Sequence, residues 1–175
     1  MHGTRDAKMV TFTLNGQTVT APASQTILET ADGLGLEVPR LCYMAGMRAD
    51  GNCRTCMVEI KGERVLAASC CRTPAPGMVV RSDSARARHS QQMVLELLAS
   101  DMPPEPHRPD SELDRWARHL SIGKPRFVPR HSPPPDLSHP AIAVNLDACI
   151  QCTRCVRACR EAQVNDVIGF AFRGH

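Results

Sequence analysis

Nine cysteines in 175 residues constrain this chain more than any other feature, because they fall into two groups. Five lie between positions 42 and 71, four lie between 149 and 159, and none lies between the groups. In a reducing compartment thiols stay free, so clusters of them point to metal or redox sites before disulfides. The N-terminal stretch MHGTRDAKMV lacks the apolar core of a signal peptide, and the expectation is a cytoplasmic chain. No apolar run approaches the roughly 20 residues that a membrane helix needs. The formal net charge of +3, carried by scattered basic residues, excludes a strong nucleic-acid signal.

Around the first cysteine group the pattern is β-rich. MVTFTLNGQTVTAP alternates about Asn15-Gly16, a strong hairpin signal. SQTILETADGLGL reads as a short helix with Ser24 as cap and Gly33 and Gly35 at its end. CMVEIKGERVLAASC is a second hairpin turning at Lys61-Gly62, and MVVRS is a closing strand. Residues 84–100 carry Met93, Val94, Leu97 and Leu98 at helical spacing, expected as the packing face. From 101 to 140 lie ten of the fourteen prolines, including Pro133-Pro134-Pro135, which suits an extended connector. One short helix over SELDRWARHL is expected inside it, capped by Asp110 or Ser111, with Trp116 pinning it to a neighbour. The last segment has too few apolar residues to fold unaided, so a metal centre would have to supply its core. The domains are therefore drawn as a tail over 1–9, a metal-binding domain over 10–82, a helix and proline-rich spacer over 83–140, and a cysteine-rich segment over 141–175.

Cys42, Cys53 and Cys56, with Cys70 or Cys71 as a distant fourth, give C-x10-C-x2-C and one further thiol. Gly46 and Gly51 in the loop between them let backbone N–H groups approach an anionic cluster and lower the cost of gathering thiolates. Zinc is the bland alternative, but zinc ribbons usually present two C-x2-C pairs and this group has one. An iron–sulfur cluster is the preferred reading. Neighbours in an extended segment point to opposite sides, so Cys70 and Cys71 are not expected to face the cluster together. One is a ligand and the other a small buried residue.

The terminal run CIQCTRCVRAC has the C-x2-C-x2-C-x3-C spacing of bacterial ferredoxins. Cys149, Cys152 and Cys155 are expected to hold one [4Fe-4S] cluster, while Cys159 points away toward a second. Arg160 stands where proline commonly follows. A mirrored cysteine run would complete both clusters, and the sequence reaches His175 without one, so it looks unfinished. An incomplete first cubane would be prone to metal loss. None of the seven histidines stands at ligand spacing to a cysteine, and Asp32, Glu37 and Asp50 are scattered acids. No G-x-G-x-x-G, phosphate loop or catalytic triad is visible, so no catalytic residue is assigned.

The stretch VTFTLNGQTVTAPASQTILETADGLGLEVPRLCYMAGMRADGNCRTCMVEI, followed by ASCCRTPAPGMVV, resembles the [2Fe-2S] domain of several NAD-linked complexes. These are the large iron–sulfur subunit of complex I, NAD-reducing and iron-only hydrogenases, and NAD-dependent formate dehydrogenases. The resemblance implies an α+β fold: a plant-type ferredoxin-like β-grasp domain, the spacer, then half of a bacterial-type two-cluster ferredoxin domain. It also favours Cys71 as fourth ligand, since C-R-T-P begins there. Most such relatives continue into a histidine-plus-three-cysteine motif. DMPPEPHRPDSELDRW has no cysteine, so that cluster is expected to be missing.

LSHPAIAVNLDACIQCTRCVRACREAQVNDVIG, the GKPRF spacer and the phenylalanine-containing tail extend the resemblance to the α subunit of molybdenum-dependent, NAD-linked formate dehydrogenases. What this implies is an electron relay without an active site of its own. Formate would be oxidised at a molybdopterin centre in the remainder of the catalytic chain, and a flavin- and NAD-binding diaphorase-type partner would receive the electrons. Rival readings are a stand-alone ferredoxin-like carrier, the diaphorase subunit of an NAD-linked hydrogenase, and a zinc-stabilised interaction module.

Overall fold

The computed structural model describes residues 8–103, 110–129 and 134–170. The tail over 1–7, the first of the three consecutive prolines and the end of the phenylalanine-containing tail lie outside the described residues. Two compact units divide the chain between Gln91 and Gln92.

In the first unit, β1 (Met9–Leu14) and β2 (Gln17–Pro22) form the hairpin that Asn15-Gly16 predicts, with Leu14 paired to Gln17. Both turn residues have positive φ, 50° and 84°, as a two-residue turn of matching twist requires. The Asn15 side chain ties this turn to Ser82, donating to its hydroxyl and accepting from its backbone N–H, each at 2.8 Å. β3 (Met57–Ile60) and a two-residue β4 (Ala67–Ala68) form the second hairpin, and β5 (Val79–Arg81) closes the sheet. The sheet order is β2-β1-β5-β3-β4, with β5 parallel to β1 and antiparallel to β3.

Alternation along the strands builds one apolar face. Val10, Phe12 and Leu14 are buried on β1, Val19 and Ala21 on β2, Val58 and Ile60 on β3, and Val80 on β5. Helix α1 (Ile27–Gly33) adds Ile27, Leu28 and Ala31 to this core. Its cap is Thr26, not Ser24. Thr26 Oγ1 accepts from the Glu29 N–H while the Glu29 carboxylate accepts from the Thr26 N–H, a reciprocal box that uses threonine's short reach.

Helix α2 (Ala85–Ser100) starts at Ser84, whose hydroxyl accepts from the Ala87 N–H at 3.1 Å. Its fully buried positions are Ala87, Gln91 and Leu95, whereas Leu97 is exposed. Met93, Val94 and Leu98 are half-buried, so the expected face is rotated by about a quarter of a turn from the buried one. Apolarity misled because a polar residue sits at the centre of the buried stripe. Gln91 Nε2 donates to the carbonyls of Met57 and Ser82, at 2.8 and 3.2 Å, satisfying backbone acceptors that its burial brings close.

The second unit is sparser. Helix α3 (Glu112–His119) starts at Ser111 with a capping box to Asp114. Its buried residue is Leu113, and the Trp116 ring stands edge-on to His119 of the same helix, so the contact found for Trp116 is a local one. β6 (Asp136–His139) and β7 (Ile142–Val144) form an exposed two-stranded ribbon. Helix α4 (Arg154–Arg157) runs into a π-helical turn over Ala158–Ala162. Ion pairs link these pieces: Glu96 with Arg126 on two parallel hydrogen bonds of 2.7 Å, and Glu112 with Arg154. No helix among the described residues is long and apolar enough to cross a membrane.

Candidate metal centre

Cys42 follows the buried Leu41, and Cys56 directly precedes β3, so the loop between them is anchored at both ends. Within it Gly46, Gly51 and Arg54 have positive φ, 83°, 64° and 56°, which curls the backbone around Cys53. The Cys42 N–H donates to Cys53 Sγ at 3.5 Å. Backbone N–H groups of Cys53 and Asn52 also reach the Cys42 sulfur, and that of Thr55 reaches Cys53. These are the amide-to-sulfur contacts that the glycine-rich loop predicts.

The distant cysteines arrive from the hairpin. Ser69 donates to the Cys56 carbonyl through its N–H and its hydroxyl, at 3.1 and 2.8 Å, which sets Cys70 beside Cys56. The α1 amides of Ile27 and Leu28 donate to the carbonyls of Arg72 and Ser69, so the helix start holds this turn from the other side. Residues 69–71 are a turn, closed by the Cys71 and Arg72 N–H groups on the Ala68 carbonyl. Strand alternation therefore does not apply. The Cys70 and Cys71 sulfurs lie 3.5 Å apart instead of on opposite sides, which corrects the expectation from extended geometry.

Cys70 is fully buried and hydrogen-bonds both Cys42 and Cys56, whereas Cys71 is exposed and its sulfur faces Gly51. A Cβ on Gly51 would stand 2.7 Å from Cys71 Sγ, so only glycine leaves that sulfur its place. Hydrogen bonds from Cys53 and Cys70 hold the Cys42 thiol far below the ordinary thiol range, against burial. The hydrogen bond to Cys42, with burial, pushes Cys53 up, and those to Cys42 and Cys56 push Cys70 up. Cys56 falls to about 7, mainly through the hydrogen bond from Cys70. Nearby, Tyr43 donates to Glu29 Oε1 at 3.2 Å, and burial followed by the Glu29 charge raises its hydroxyl to about 12.

This donor set suits a thiolate-held iron–sulfur group. The Cys42 and Cys53 sulfurs sit under directed amides, Gly51 leaves a cradle that any Cβ would fill, and the fully buried Thr55 side chain hydrogen-bonds the Cys53 sulfur. Thr55 is a feature that pattern reading passed over, since its place inside C-R-T-C gives no sign of burial. No three Cys, His, Asp or Glu side chains among the described residues converge to hold a single metal ion.

In the second group, Cys149 closes a turn by donating its N–H to the Leu146 carbonyl at 3.0 Å. Cys149 and Cys152 are half-buried and Cys155, on α4, is exposed. Cys159 is buried in the π-helical turn, where its thiol donates to Asn165 Oδ1 at 2.8 Å and accepts from the Val167 N–H at 3.2 Å. Its surroundings differ from those of the first three. None of the nine cysteines forms a disulfide.

Residues 7–85 match the family described as a 2Fe-2S iron-sulfur cluster binding domain. A chain of the NAD+-reducing [NiFe]-hydrogenase, solved in its H2-reduced state, superposes with a TM-score of 0.83 at 30% identity, covering 94% of this chain and 71% of that one. The chain belongs to this family of iron–sulfur proteins. Other members are an NADH-quinone oxidoreductase subunit of Rhizobium meliloti and the NADP-reducing hydrogenase subunit HndD of Solidesulfovibrio fructosivorans, each 33% identical over 95% of this chain. The mitochondrial 78 kDa subunit of NADH-ubiquinone oxidoreductase from Candida albicans is 30% identical over the same share. This iron–sulfur chain spans only 20%, 30% and 24% of their respective lengths. Its first unit is a mixed sheet-and-helix iron–sulfur electron-transfer domain of the 2Fe-2S cluster binding kind, and the relatives named are oxidoreductase subunits.

Proposed function

We propose that this chain is the electron relay of an NAD-linked formate dehydrogenase. The first unit holds its [2Fe-2S] cluster on Cys42, Cys53, Cys56 and Cys71, within a β-grasp domain. Cys149, Cys152 and Cys155 hold a [4Fe-4S] cluster, and Cys159 serves another. The observation that carries the relay reading is the gathering of thiols beneath the Gly51 loop in a domain of the 2Fe-2S family. Such clusters accept and pass single electrons, near about −400 mV for plant-type centres, low enough to feed a nicotinamide couple.

In this reading a molybdopterin centre outside residues 1–175 would supply the oxidation of formate to carbon dioxide, a proton and two electrons. Clusters held on Cys42, Cys53, Cys56 and Cys71 and on Cys149, Cys152 and Cys155 would supply one-electron steps between that centre and a flavin- and NAD-binding partner. The protein's part is to bury the sulfurs, to aim N–H groups at them and to keep the sheet unit rigid during transfer. The formate assignment rests on the cysteine-free stretch between the two groups and on the C-terminal sequence.

The test is to isolate the native complex containing this chain from its host cytoplasm. Formate-dependent NAD+ reduction and stoichiometric molybdenum are expected. H2-dependent reduction would replace formate with hydrogenase function, and quinone-coupled NADH oxidation would replace it with a complex I role. Zinc in place of iron and acid-labile sulfide would overturn the relay itself.

A further inference from the structure

The first metal site contains five cysteines where a [2Fe-2S] cluster uses four. Cys70 is not a bystander in the core. Its thiol hydrogen-bonds Cys42 and Cys56, both in the ligand set, and its sulfur lies 3.5 Å from that of Cys71. Two thiolates on one tetrahedral metal, each at about 2.3 Å, are about 3.8 Å apart. The 3.5 Å separation is shorter than that, so an iron bonded to one of these two sulfurs would have the other within reach.

We propose that Cys70 is an alternate fourth ligand, so that the corner of the cluster assigned to Cys71 can be taken by either thiol. The inference rests on the ligand reading above and adds a residue to it. Exchange needs no external reagent: the iron–sulfur bond to Cys71 breaks, that to Cys70 forms, and the Cys70 proton passes to the released Cys71 thiolate. Charge and proton number stay constant. The turn over residues 69–71 makes this possible, because it places consecutive sulfurs on one side where an extended strand would separate them. Gly51 makes room for the exposed alternative, and the Ser69 and α1 hydrogen bonds fix the buried one.

Alanine variants of the full chain test this, since alanine cannot replace a thiolate. Each is reconstituted anaerobically, followed by iron and sulfide analysis and paramagnetic resonance of the reduced state. Cys70→Ala is expected to keep the wild-type signal. Cys71→Ala should hold iron within twofold of wild type, with shifted g-values that report the new ligand geometry. Cys70→Ala with Cys71→Ala should lose cluster more than tenfold. Circular dichroism of the apo-proteins checks that the sheet unit is intact, and Cys71→Ser offers a milder variant should alanine disturb the turn. Loss of cluster in Cys71→Ala as complete as in the double variant would overturn the proposal, as would full retention in the double variant. Failure of the wild-type chain to bind a [2Fe-2S] cluster would instead refute the ligand reading beneath it.

Discussion

The two cysteine groups sit in opposite surroundings. Around Cys42, Cys53 and Cys56, five strands and a helix bury an apolar core before any metal is considered. Around Cys149–Cys159 the buried side chains of α4 and the following turn are Val156, Arg157 and Cys159, while Val164 and Val167 are 81% and 78% exposed. Hydrophobic burial supplies most of the drive to fold, so the first group sits in a site that the chain can form for itself. The second lacks that support, and under the proposed ligand reading metal binding there would double as folding free energy. In that reading a cluster would be a guest in one place and a core in the other.

Iron removal should break the symmetry between the regions most visibly. With a reductant and chelator, the first unit of the full chain should keep cooperative unfolding and slow amide exchange on β1 and β5. Amides over 149–167 should lose protection by orders of magnitude, since few apolar contacts remain to close them. Hydrogen exchange read by mass spectrometry checks both at once. Equal loss of protection in the two regions would show that the first site also depends on metal.

Core substitutions sharpen the same contrast. Leu28 is fully buried on α1, and Leu28→Ala should cost about 2–5 kcal/mol, set by how far the cavity collapses. Val167→Ala keeps the backbone N–H on Cys159 and removes an exposed side chain, so it should stay within about 0.5 kcal/mol. Urea denaturation followed by circular dichroism measures the pair. A large effect at Val167 would mean that this apolar residue is covered in the folded chain.

How much of this was legible depended on whether the signal was local. The Asn15-Gly16 turn and the strand alternation are statements about near neighbours, and the described hairpins follow them. The Cys70–Cys71 arrangement was not legible, because alternation assumed a strand where Ser69 and the Ala68 carbonyl make a turn. The α2 face was missed for a related reason. Gln91 is buried for the carbonyls of Met57 and Ser82, partners 34 and 9 residues away that no helical periodicity reveals. The burial of the Thr55 hydroxyl was likewise hidden, since it depends on how the loop folds around Cys53.

The smallest predicted effect compares two devices of the same design, the boxes Thr26–Glu29 and Ser111–Asp114. Thr26→Ala should cost about 1 kcal/mol of the sheet unit's stability, because α1 belongs to its core. Ser111→Ala should fray α3 locally and leave that global transition unchanged. The first box also carries a pH signature. The Thr26 N–H, then its hydroxyl and Tyr43, hold the Glu29 carboxyl below its ordinary value against the opposing effect of burial. A depressed carboxyl contributes stability that is fully present above its unfolded pKa and disappears as pH falls through the folded one. The acid limb of the wild-type urea midpoint should therefore slope downward as pH falls below the unfolded glutamate value of about 4.3. Glu29→Gln should flatten that limb while leaving the neutral-pH dependence alone, and an unchanged acid slope would remove Glu29 as its source.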